Sequence, residues 1–505
     1  MWLLIERIMG IKSKEIDTGL NFDNSFIKQL NGFYIPTSGE IVQAPKLIKL
    51  NHALADELGL EYKNQDNSVL ANLLSGSIAA KGAQPIAQAY AGHQFGGFSP
   101  QLGDGRAILL GEVIDKKGNR RDIHLKGSGQ TPFSRGGDGK AGIGPVLREY
   151  ILGEAMHALN IPATRGLAVT LTGEQIVREQ LQNGAVLARV ANSHIRVGTF
   201  QYFAARNEPD KVKLLADYTI NRHFPEIAGS KDQYRKLLSA VRDKQADLIA
   251  QWVLIGFVHG VMNTDNMAIS GETIDFGPCA FIDNYDPQAL YSSIDREGRY
   301  ALGNQPYMAQ WNTARFAETL LPLLDDNNAK AIEIATEEIQ TFTENYQTKW
   351  LSKVSAKLGL SKAKEGDIEL INSLFKILEQ QNVDYTQFFR SLSQAIKGEI
   401  VNTQKLFNEP SKFDEWYEKW LKRLKTDSGS IDVKIDLMNA TNPIYIPRNH
   451  LVEEAILAAE QENNFEPFEK LLTVLACPYE KRTGLERFAD PAPKEFGPYK
   501  TFCGT

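Results

Sequence analysis

The sequence predicts an α+β fold with two lobes: a β-rich N-terminal lobe, a helical C-terminal lobe, and an extension at each end. Residues 84–145 are rich in glycine and contain short apolar runs that are typical of strands. Residues 311–425 instead carry amphipathic helix patterns rich in lysine, glutamate and leucine. This order along the chain indicates that sheet and helices segregate, and we expect a site in the cleft between the lobes.

Composition narrows the class of protein. The chain has 505 residues, a net charge of −6 and three cysteines. A chain of this charge lacks the basic character of most nucleic-acid-binding domains, and so few cysteines favour a reducing compartment. No run approaches the roughly 18–20 apolar residues of a membrane span, and the N-terminus lacks the pattern of a signal peptide. We therefore expect a cytoplasmic protein that binds neither membranes nor nucleic acid, and Met9 is an alternative start.

Shifts in composition divide the chain into four parts. Residues 1–80 form an N-terminal extension, and residues 81–200 form the N-lobe with its glycine-rich loops. Residues 201–430 are expected to form the helical C-lobe, and residues 431–505 a C-terminal extension with a cysteine in its tail.

The N-lobe has four runs with strand character, at residues 107–114, 122–126, 167–172 and 185–191. A helix is expected to begin at Pro145, because proline suits the first helical position and apolar residues then recur every four residues.

In the C-lobe, a long helix predicted over about residues 235–255 runs into the loop His259-Gly-Val-Met-Asn-Thr-Asp-Asn266. Asp275-Phe-Gly277 follows nine residues later. Kinase-like sites hold magnesium with an amide oxygen from such a loop and a carboxylate on the next strand, which Asn266 and Asp275 supply. The alternative is a capped helix end followed by an ordinary turn, with Asp275 in solvent.

The usual catalytic aspartate of the kinase pattern is missing. It precedes the metal-binding asparagine by five residues, and that position holds Val261. The metal positions are therefore filled while the usual base for phosphoryl transfer is absent.

Lys126 ends a predicted strand, where a lysine can contact phosphates and pair with a helix carboxylate. Glu149, early in the following helix, is its expected partner. The alternative is a lysine on a solvated face and a first-turn glutamate that the helix dipole favours.

Two glycine-rich segments fit a phosphate-binding role: Gly103-Asp-Gly-Arg106 before a strand, and Gly136-Gly-Asp-Gly139 before a helix. Glycine lets backbone N–H groups approach an anion, and arginine binds phosphate oxygens as a fork; either segment could also be a plain turn. Arg189 lies in an apolar strand and needs an anionic partner if buried, and Arg196 could join it. The alternative for both arginines is a structural ion pair.

Several long blocks resemble the signature blocks of the selenoprotein O (SelO/YdiU) family. The resemblance runs from about residue 25 to the tail. The blocks are Tyr90-Ala-Gly-His-Gln-Phe-Gly-Gly97, Gln101-Leu-Gly-Asp-Gly-Arg106, Leu125-Lys-Gly-Ser-Gly-Gln-Thr-Pro-Phe-Ser-Arg135, Val258-His-Gly-Val-Met-Asn-Thr-Asp-Asn266, Asn304-Gln-Pro306 with Trp311-Asn312, and Asn442-Pro-Ile-Tyr-Ile-Pro-Arg-Asn449.

The resemblance implies a protein-kinase-like fold of the pseudokinase kind. It also implies transfer of AMP from ATP to Ser, Thr or Tyr hydroxyls of proteins, with Mg²⁺ or Mn²⁺ as cofactor and ATP bound in a flipped orientation. It assigns the metal to Asn266 and Asp275, proton acceptance to Asp265, and the lysine's partner to Glu149. The nucleotide-binding residues that it implies are Gly103, Gly105, Arg106, Lys126, Asp138, Gly139, Arg189, Arg196 and Asp275.

The tail departs from the family pattern. Family members end near a cysteine or selenocysteine followed by two small residues, usually serines, whereas this chain ends Cys503-Gly504-Thr505. Some relatives are thought to lock this cysteine to another in the loop after Asp-Phe-Gly. The matching position here is Tyr291, but Cys279 lies in the same loop, so a Cys279–Cys503 redox latch is one hypothesis. A buried Cys279 and a free tail thiol are the alternative.

Three other functions stay open: UMP transfer from UTP with Mn²⁺, a kinase-type phosphotransferase, and a non-catalytic nucleotide-binding pseudokinase. Val261 argues against the phosphotransferase. The filled metal and phosphate positions argue against the non-catalytic pseudokinase. The identity of the protein substrates and the oligomeric state are not readable from the sequence.

Overall fold

A computed structural model describes residues 15–364 and 366–502. Within these residues, a β-sheet region built from strands between residues 34 and 191 precedes a helical region. The α+β class predicted from the sequence is confirmed in this form. No helix in the described part of the chain is long and apolar enough to cross a membrane.

The main sheet of the described residues has eight strands, and all its neighbouring strands are antiparallel. The strands of the chain are β1 (Tyr34–Pro36), β2 (Lys46–Leu50), β3 (Ile86–Gln88), β4 (Gly92–Gln94), β5 (Gly97–Ser99), β6 (Ala107–Ile114), β7 (Arg120–Lys126), β8 (Ala141–Gly142), β9 (Arg165–Val177), β10 (Leu181–Ala191), β11 (Phe257–Val258) and β12 (Ala280–Phe281). The order in the sheet is β1-β3-β6-β7-β10-β9-β2, with β8 beside β10. The four predicted strands correspond to β6, β7, β9 and β10, which extend beyond the predicted ends in all but the first case.

Helices dominate the chain after residue 191. The helices are α1 (Ser25–Gln29), α2 (His52–Leu58), α3 (Asn67–Ser75), α4 (Ile143–Ala158), α5 (Val197–Ala204), α6 (Pro209–His223), α7 (Gln233–Ile255), α8 (Gln305–Leu324), α9 (Asn328–Lys357), α10 (Asp367–Gln380), α11 (Tyr385–Ala395), α12 (Val401–Gln404), α13 (Pro410–Lys425), α14 (Ile431–Thr441), α15 (Asn449–Glu462) and α16 (Glu466–Leu475). Helix α4 begins two residues before Pro145, which still lies in the first turn, where its missing N–H costs nothing.

Both faces of the sheet are buried at strand β7. Ile123 and Leu125 pack in an apolar cluster with residues of α2 and α3. The alternate residues Asp122 and His124, which point to the opposite face of the strand, are also buried. Arg222 of α6 covers this face and donates to Asp122 at 2.6 Å. Tertiary packing thus places the polar stripe of β7 inside the protein.

The last helices pack against the sheet region. Apolar residues of α15 and α16 form one cluster with α4, in which the rings of Tyr150 and Phe468 lie 5.7 Å apart. The C-terminal segment therefore supports the helix that carries Glu149.

Candidate functional site

A cavity of about 480 Å³ is lined both by the sheet region and by the segment 261–278. Its volume is within the range of small-molecule sites. Every residue predicted to bind nucleotide or metal, or to accept a proton, lines it. These residues are Gly103, Gly105, Arg106, Lys126, Asp138, Gly139, Arg189, Arg196, Asp265, Asn266 and Asp275.

Asp275 lies at the centre of an ion-pair cluster. Its Oδ1 accepts from Lys126 Nζ at 2.7 Å and from Arg189 Nη1 at 2.7 Å. Its Oδ2 accepts from Arg196 Nη1 at 2.8 Å. Burial opposes ionisation, but the charges of the three cations outweigh it and hold the pKa of Asp275 well below its usual value. The residue also adopts a left-handed backbone conformation (φ 58°), which is uncommon for aspartate.

Glu149 supplies the second carboxylate. Lys126 Nζ lies 2.6 Å from its Oε2, and Arg189 Nη1 lies 2.6 Å from its Oε1. Burial raises the pKa of Glu149, and Lys126 and Arg189 lower it by more, so the group stays ionised. Three cations and two carboxylates give this cluster a net charge of +1, which favours a phosphate ligand.

Strand register fixes the cations in place. His124 of β7 stands opposite Arg189 of β10, and its Nδ1 accepts from Arg189 Nε at 3.2 Å. The second ring nitrogen of His124 lies 3.3 Å from Asp104 Oδ2. Burial lowers the pKa of His124, so the ring is neutral near pH 7. Lys126 pairs with Ala107 of β6, and this register brings the loop at residues 103–106 beside the lysine.

The loop 259–266 is tied by a hydrogen bond to Ile274, the residue before Asp275, which lies in a segment without strand structure. His259 is buried, and its Nε2 lies 2.9 Å from the carbonyl oxygen of Ile274. Asn266 Nδ2 donates to the carbonyl of Val261 at 3.1 Å. This hydrogen bond occupies the amide nitrogen, and the amide oxygen is the atom suited to a metal.

Asp265 presents one acceptor atom without a partner. Its Oδ2 accepts from Gln94 Nε2 at 3.2 Å, and its backbone carbonyl accepts from Arg196 Nη1 at 2.7 Å. Its Oδ1 is buried and has no hydrogen-bond partner in the described part of the chain. Burial raises the pKa of Asp265 to about 6, although the charge of Arg196 opposes the shift. A buried acceptor of this kind calls for a ligand or water to complete it.

Three residues that line the cavity could not be predicted as site residues from the sequence. Arg178 donates two hydrogen bonds to Asp138, at 2.8 and 2.9 Å, and the ring centroid of Tyr90 lies 4.6 Å from the Arg196 guanidinium. The third is Gln94, the partner of Asp265. Arg178 lies in a polar stretch with no motif, while the two others belong to a family block from which their roles could not be read.

The donor set at the cavity fits a hard divalent cation. In the described ranges, no group of three or more His, Cys, Asp or Glu side chains could hold a metal by itself. Asn266 and Asp275 offer one amide oxygen and one carboxylate. Mg²⁺ and Mn²⁺ suit such a pair, because Mg²⁺ usually keeps water and phosphate oxygens as its other ligands.

Only one cysteine of the predicted redox pair, Cys279, can be described, because Cys503 lies outside the described residues. Cys279 is buried, and burial raises the pKa of its thiol to about 12, which makes it a poor nucleophile. Thr501 Oγ1 donates to the carbonyl of Pro278 at 2.7 Å, and Thr501 N donates to Tyr291 O at 2.8 Å. The described end of the tail therefore lies beside Cys279, and the disulfide stays a prediction.

Comparison with known proteins matches residues 17–476 to the family described as protein adenylyltransferase SelO. A protein nucleotidyltransferase YdiU from Cereibacter sphaeroides is 53% identical over 486 residues, which cover 96% of this chain and 99% of that protein. Proteins of the same name from Rhizobium rhizogenes and a Mycobacterium species are each 51% identical. These matches cover 96% and 97% of this chain, and 97% and 100% of the relatives.

Proposed function

Because the chain belongs to the SelO family and is a nucleotidyltransferase, we propose that it transfers AMP from ATP to Ser, Thr or Tyr hydroxyls of other proteins. Pyrophosphate is the second product. One observation carries the proposal: the unpartnered Oδ1 of Asp265 shares a cavity with the cation cluster around Asp275.

In the proposed step, the acceptor hydroxyl oxygen attacks the α-phosphorus of ATP. The bond from the α-phosphorus to the oxygen that bridges to the β-phosphate breaks, and pyrophosphate leaves. The hydroxyl proton passes to Asp265, which a pKa of about 6 leaves mostly ionised at neutral pH. Val261 offers no carboxylate at the position of the usual kinase base.

The cation cluster would bind the triphosphate, and positioning and charge stabilisation would supply most of the rate gain. Glycines in the two loops would let backbone N–H groups approach the phosphates. At Gly139 a side chain is excluded, because a Cβ would lie 2.0 Å from the carbonyl oxygen of Gly129. When bound, Mg²⁺ or Mn²⁺ held by Asn266 and Asp275 would supply positive charge against the triphosphate. The residues assigned to the nucleotide are Gly103, Gly105, Arg106, Lys126, Asp138, Gly139, Arg189, Arg196 and Asp275.

We also propose that the sheet and helical regions are the N-lobe and C-lobe of a pseudokinase of the protein-kinase-like fold. The proposed boundaries are 1–80, 81–200, 201–430 and 431–505, and the proposed compartment is the cytoplasm. The loop 259–266 followed by Asp275, and the Lys126–Glu149 ion pair, support this assignment.

Incubation of candidate acceptor proteins with ATP labelled at either the α- or the γ-phosphate tests the reaction class. We expect α-label and a mass increase of one AMP on the acceptor. Label from the γ-phosphate would instead show a kinase, and a matching experiment with UTP and Mn²⁺ would reveal UMP transfer. The Asp265→Asn variant should keep ATP binding and lose transfer by about 10²–10⁴-fold. No label on any acceptor would overturn the proposal.

A further inference from the structure

The hairpin of β4 and β5 is fastened to the loop that carries Asp265. His93 N donates to Thr264 Oγ1 at 2.7 Å, and Phe95 N donates to Asn263 Oδ1 at 3.2 Å. Between them, Gln94 donates to Asp265 itself. The hairpin is therefore part of the wall of the site, and its position is coupled to that of the carboxylate.

Four large apolar side chains beside this wall are exposed. Phe95 is 37% exposed, Phe98 41%, Ile294 52% and Tyr307 67%. We call these four residues the acceptor surface. Phe95 and Ile294 line the same cavity as Asp265. Clustered exposed apolar side chains mark interaction sites.

Ring contacts link Phe95 and Phe98 of the acceptor surface to neighbouring aromatic side chains. Phe98 lies 4.8 Å from His93, and His93 lies 5.3 Å from Trp311, between ring centroids. Tyr307 precedes Trp311 by four residues on α8 and so shares its face of the helix. Phe95 lies 5.3 Å from Tyr300. The surface thus continues from the hairpin to the helix.

Positive charge lies at the edge of the acceptor surface. The guanidinium carbons of Arg299 and Arg315 lie 4.9 and 5.0 Å from the ring centroid of Trp311. Arg315 pairs with Glu318 at 2.7 Å, whereas no ion pair within residues 15–364 and 366–502 includes Arg299. The carboxylate of Asp295 accepts from the backbone N–H of Arg299.

A second cation lies at the foot of the hairpin. Arg206 Nη1 donates to the carbonyl of Pro100 at 3.0 Å, and its guanidinium lies 3.5 Å from the ring centroid of Tyr202. The described segments of the chain hold no carboxylate in an ion pair with Arg206. Two arginines without carboxylate partners therefore flank an apolar surface, and this charge complements an acidic ligand.

We propose that the acceptor surface binds the acceptor polypeptide, and that it selects a segment with acidic residues next to the modified hydroxyl. Apolar side chains of the segment pack on Phe95, Phe98 and Tyr307, while Arg299 pairs with a carboxylate. The inference rests on the proposed function, because it assigns the partner of the same site.

Two synthetic peptides test the proposal: one with a single tyrosine between an apolar residue and two aspartates, the other with lysines in place of the aspartates. Binding is measured by fluorescence anisotropy with α,β-methylene ATP present, so that no transfer is needed. We expect the aspartate peptide to bind at least about tenfold tighter. Arg299→Glu should remove or reverse this preference, and Tyr307→Ser should weaken both peptides.

Arg487→Glu is the matched control, since Arg487 is an exposed arginine of the C-terminal segment that pairs with Glu454. It should keep the preference. Arg299→Gln, with its thermal unfolding measured, separates loss of charge from misfolding. Equal binding of both peptides to the wild type, or an unchanged preference in Arg299→Glu, would overturn the acceptor surface. Binding that depends on Arg299, together with no AMP transfer to any acceptor, would uphold the surface and overturn the proposed function.

Discussion

At the scale of single residues, Asp275 has two tasks: it pairs with three cations, and it is the proposed carboxylate ligand of the metal. Removing the side chain ends both tasks and leaves Arg189 and Arg196 buried with less compensating charge. Asn266 shares only the second task, since its described hydrogen bond is to the carbonyl of Val261. Comparing variants at Asp275 and Asn266 therefore distinguishes an effect on metal binding from an effect on folding stability.

We expect Asp275→Ala to abolish AMP transfer, by about 10³-fold or more, and also to lower the thermal unfolding midpoint. Asn266→Ala should cut transfer while the unfolding midpoint stays near that of the wild type. Transfer is followed by intact mass at increasing Mn²⁺ concentration. Full transfer by either variant at the wild-type metal requirement would refute the metal assignment.

The contacts of single residues also explain why some site residues could be predicted from the sequence and others could not. Arg189 could be singled out because an arginine in an apolar strand must find an anion, and it found two. Nothing local marks Gln94 as the partner of Asp265, because the contact spans 171 positions of sequence.

At the scale of elements, close packing between the β4–β5 hairpin and the loop 259–266 sets the position of Asp265. A Cβ at Gly92 would lie 2.4 Å from Asp265 Oδ1, too close for any ordinary contact. Glycine is therefore required where the hairpin passes the carboxylate, for lack of space rather than for backbone freedom.

Gly92→Ala should displace Asp265 and lower the rate of AMP transfer by roughly tenfold or more, since misplacement of a reacting group by about 1 Å is costly. Affinity for ATP should change little. Gly366→Ala is the control, because Gly366 has an ordinary φ of −67° and, apart from its chain neighbours, no described residue has an atom within 4 Å of its Cβ position. Equal transfer rates in the two variants would contradict the role of this contact.

At the scale of the whole molecule, the helical region contains a buried lysine. Lys357 ends α9, and its ammonium lies 4.4 Å from the ring centroid of Phe389 and 5.5 Å from that of Tyr385. No ion pair of the described residues includes it, and burial lowers its pKa to about 7. In the unfolded chain the pKa of a lysine is about 10.4.

Between about pH 7 and pH 10 the unfolded chain therefore holds a proton that the folded protein lacks, so the stability contributed by this group rises with pH. Below about pH 7 the lysine is charged in both states, and the free-energy cost of burying it is at its largest and no longer changes with pH. Lys357→Met should raise the free energy of unfolding at pH 7 by on the order of a few kcal/mol, and the thermal unfolding midpoint should rise with it. The gain should shrink by pH 9.5.

The exposed Lys376 of α10 provides the comparison, because Lys376→Met changes the same charge without a buried amine. Its effect on the midpoint should be small and independent of pH. A gain for Lys357→Met that stayed constant from pH 7 to pH 9.5 would show that the lysine is not buried in its neutral form.

The sequence by itself determined the α+β class, the main strands and the long helix before His259, because these depend on local periodicity and on glycine and proline. It also predicted the residues that line the cavity, from the spacing between Asn266 and Asp275 and from the family blocks. Only the tertiary structure decided what those residues touch. Strand register placed Arg189 between Glu149 and Asp275, and packing buried Asp122 and Lys357, because long-range contacts depend on which surfaces meet.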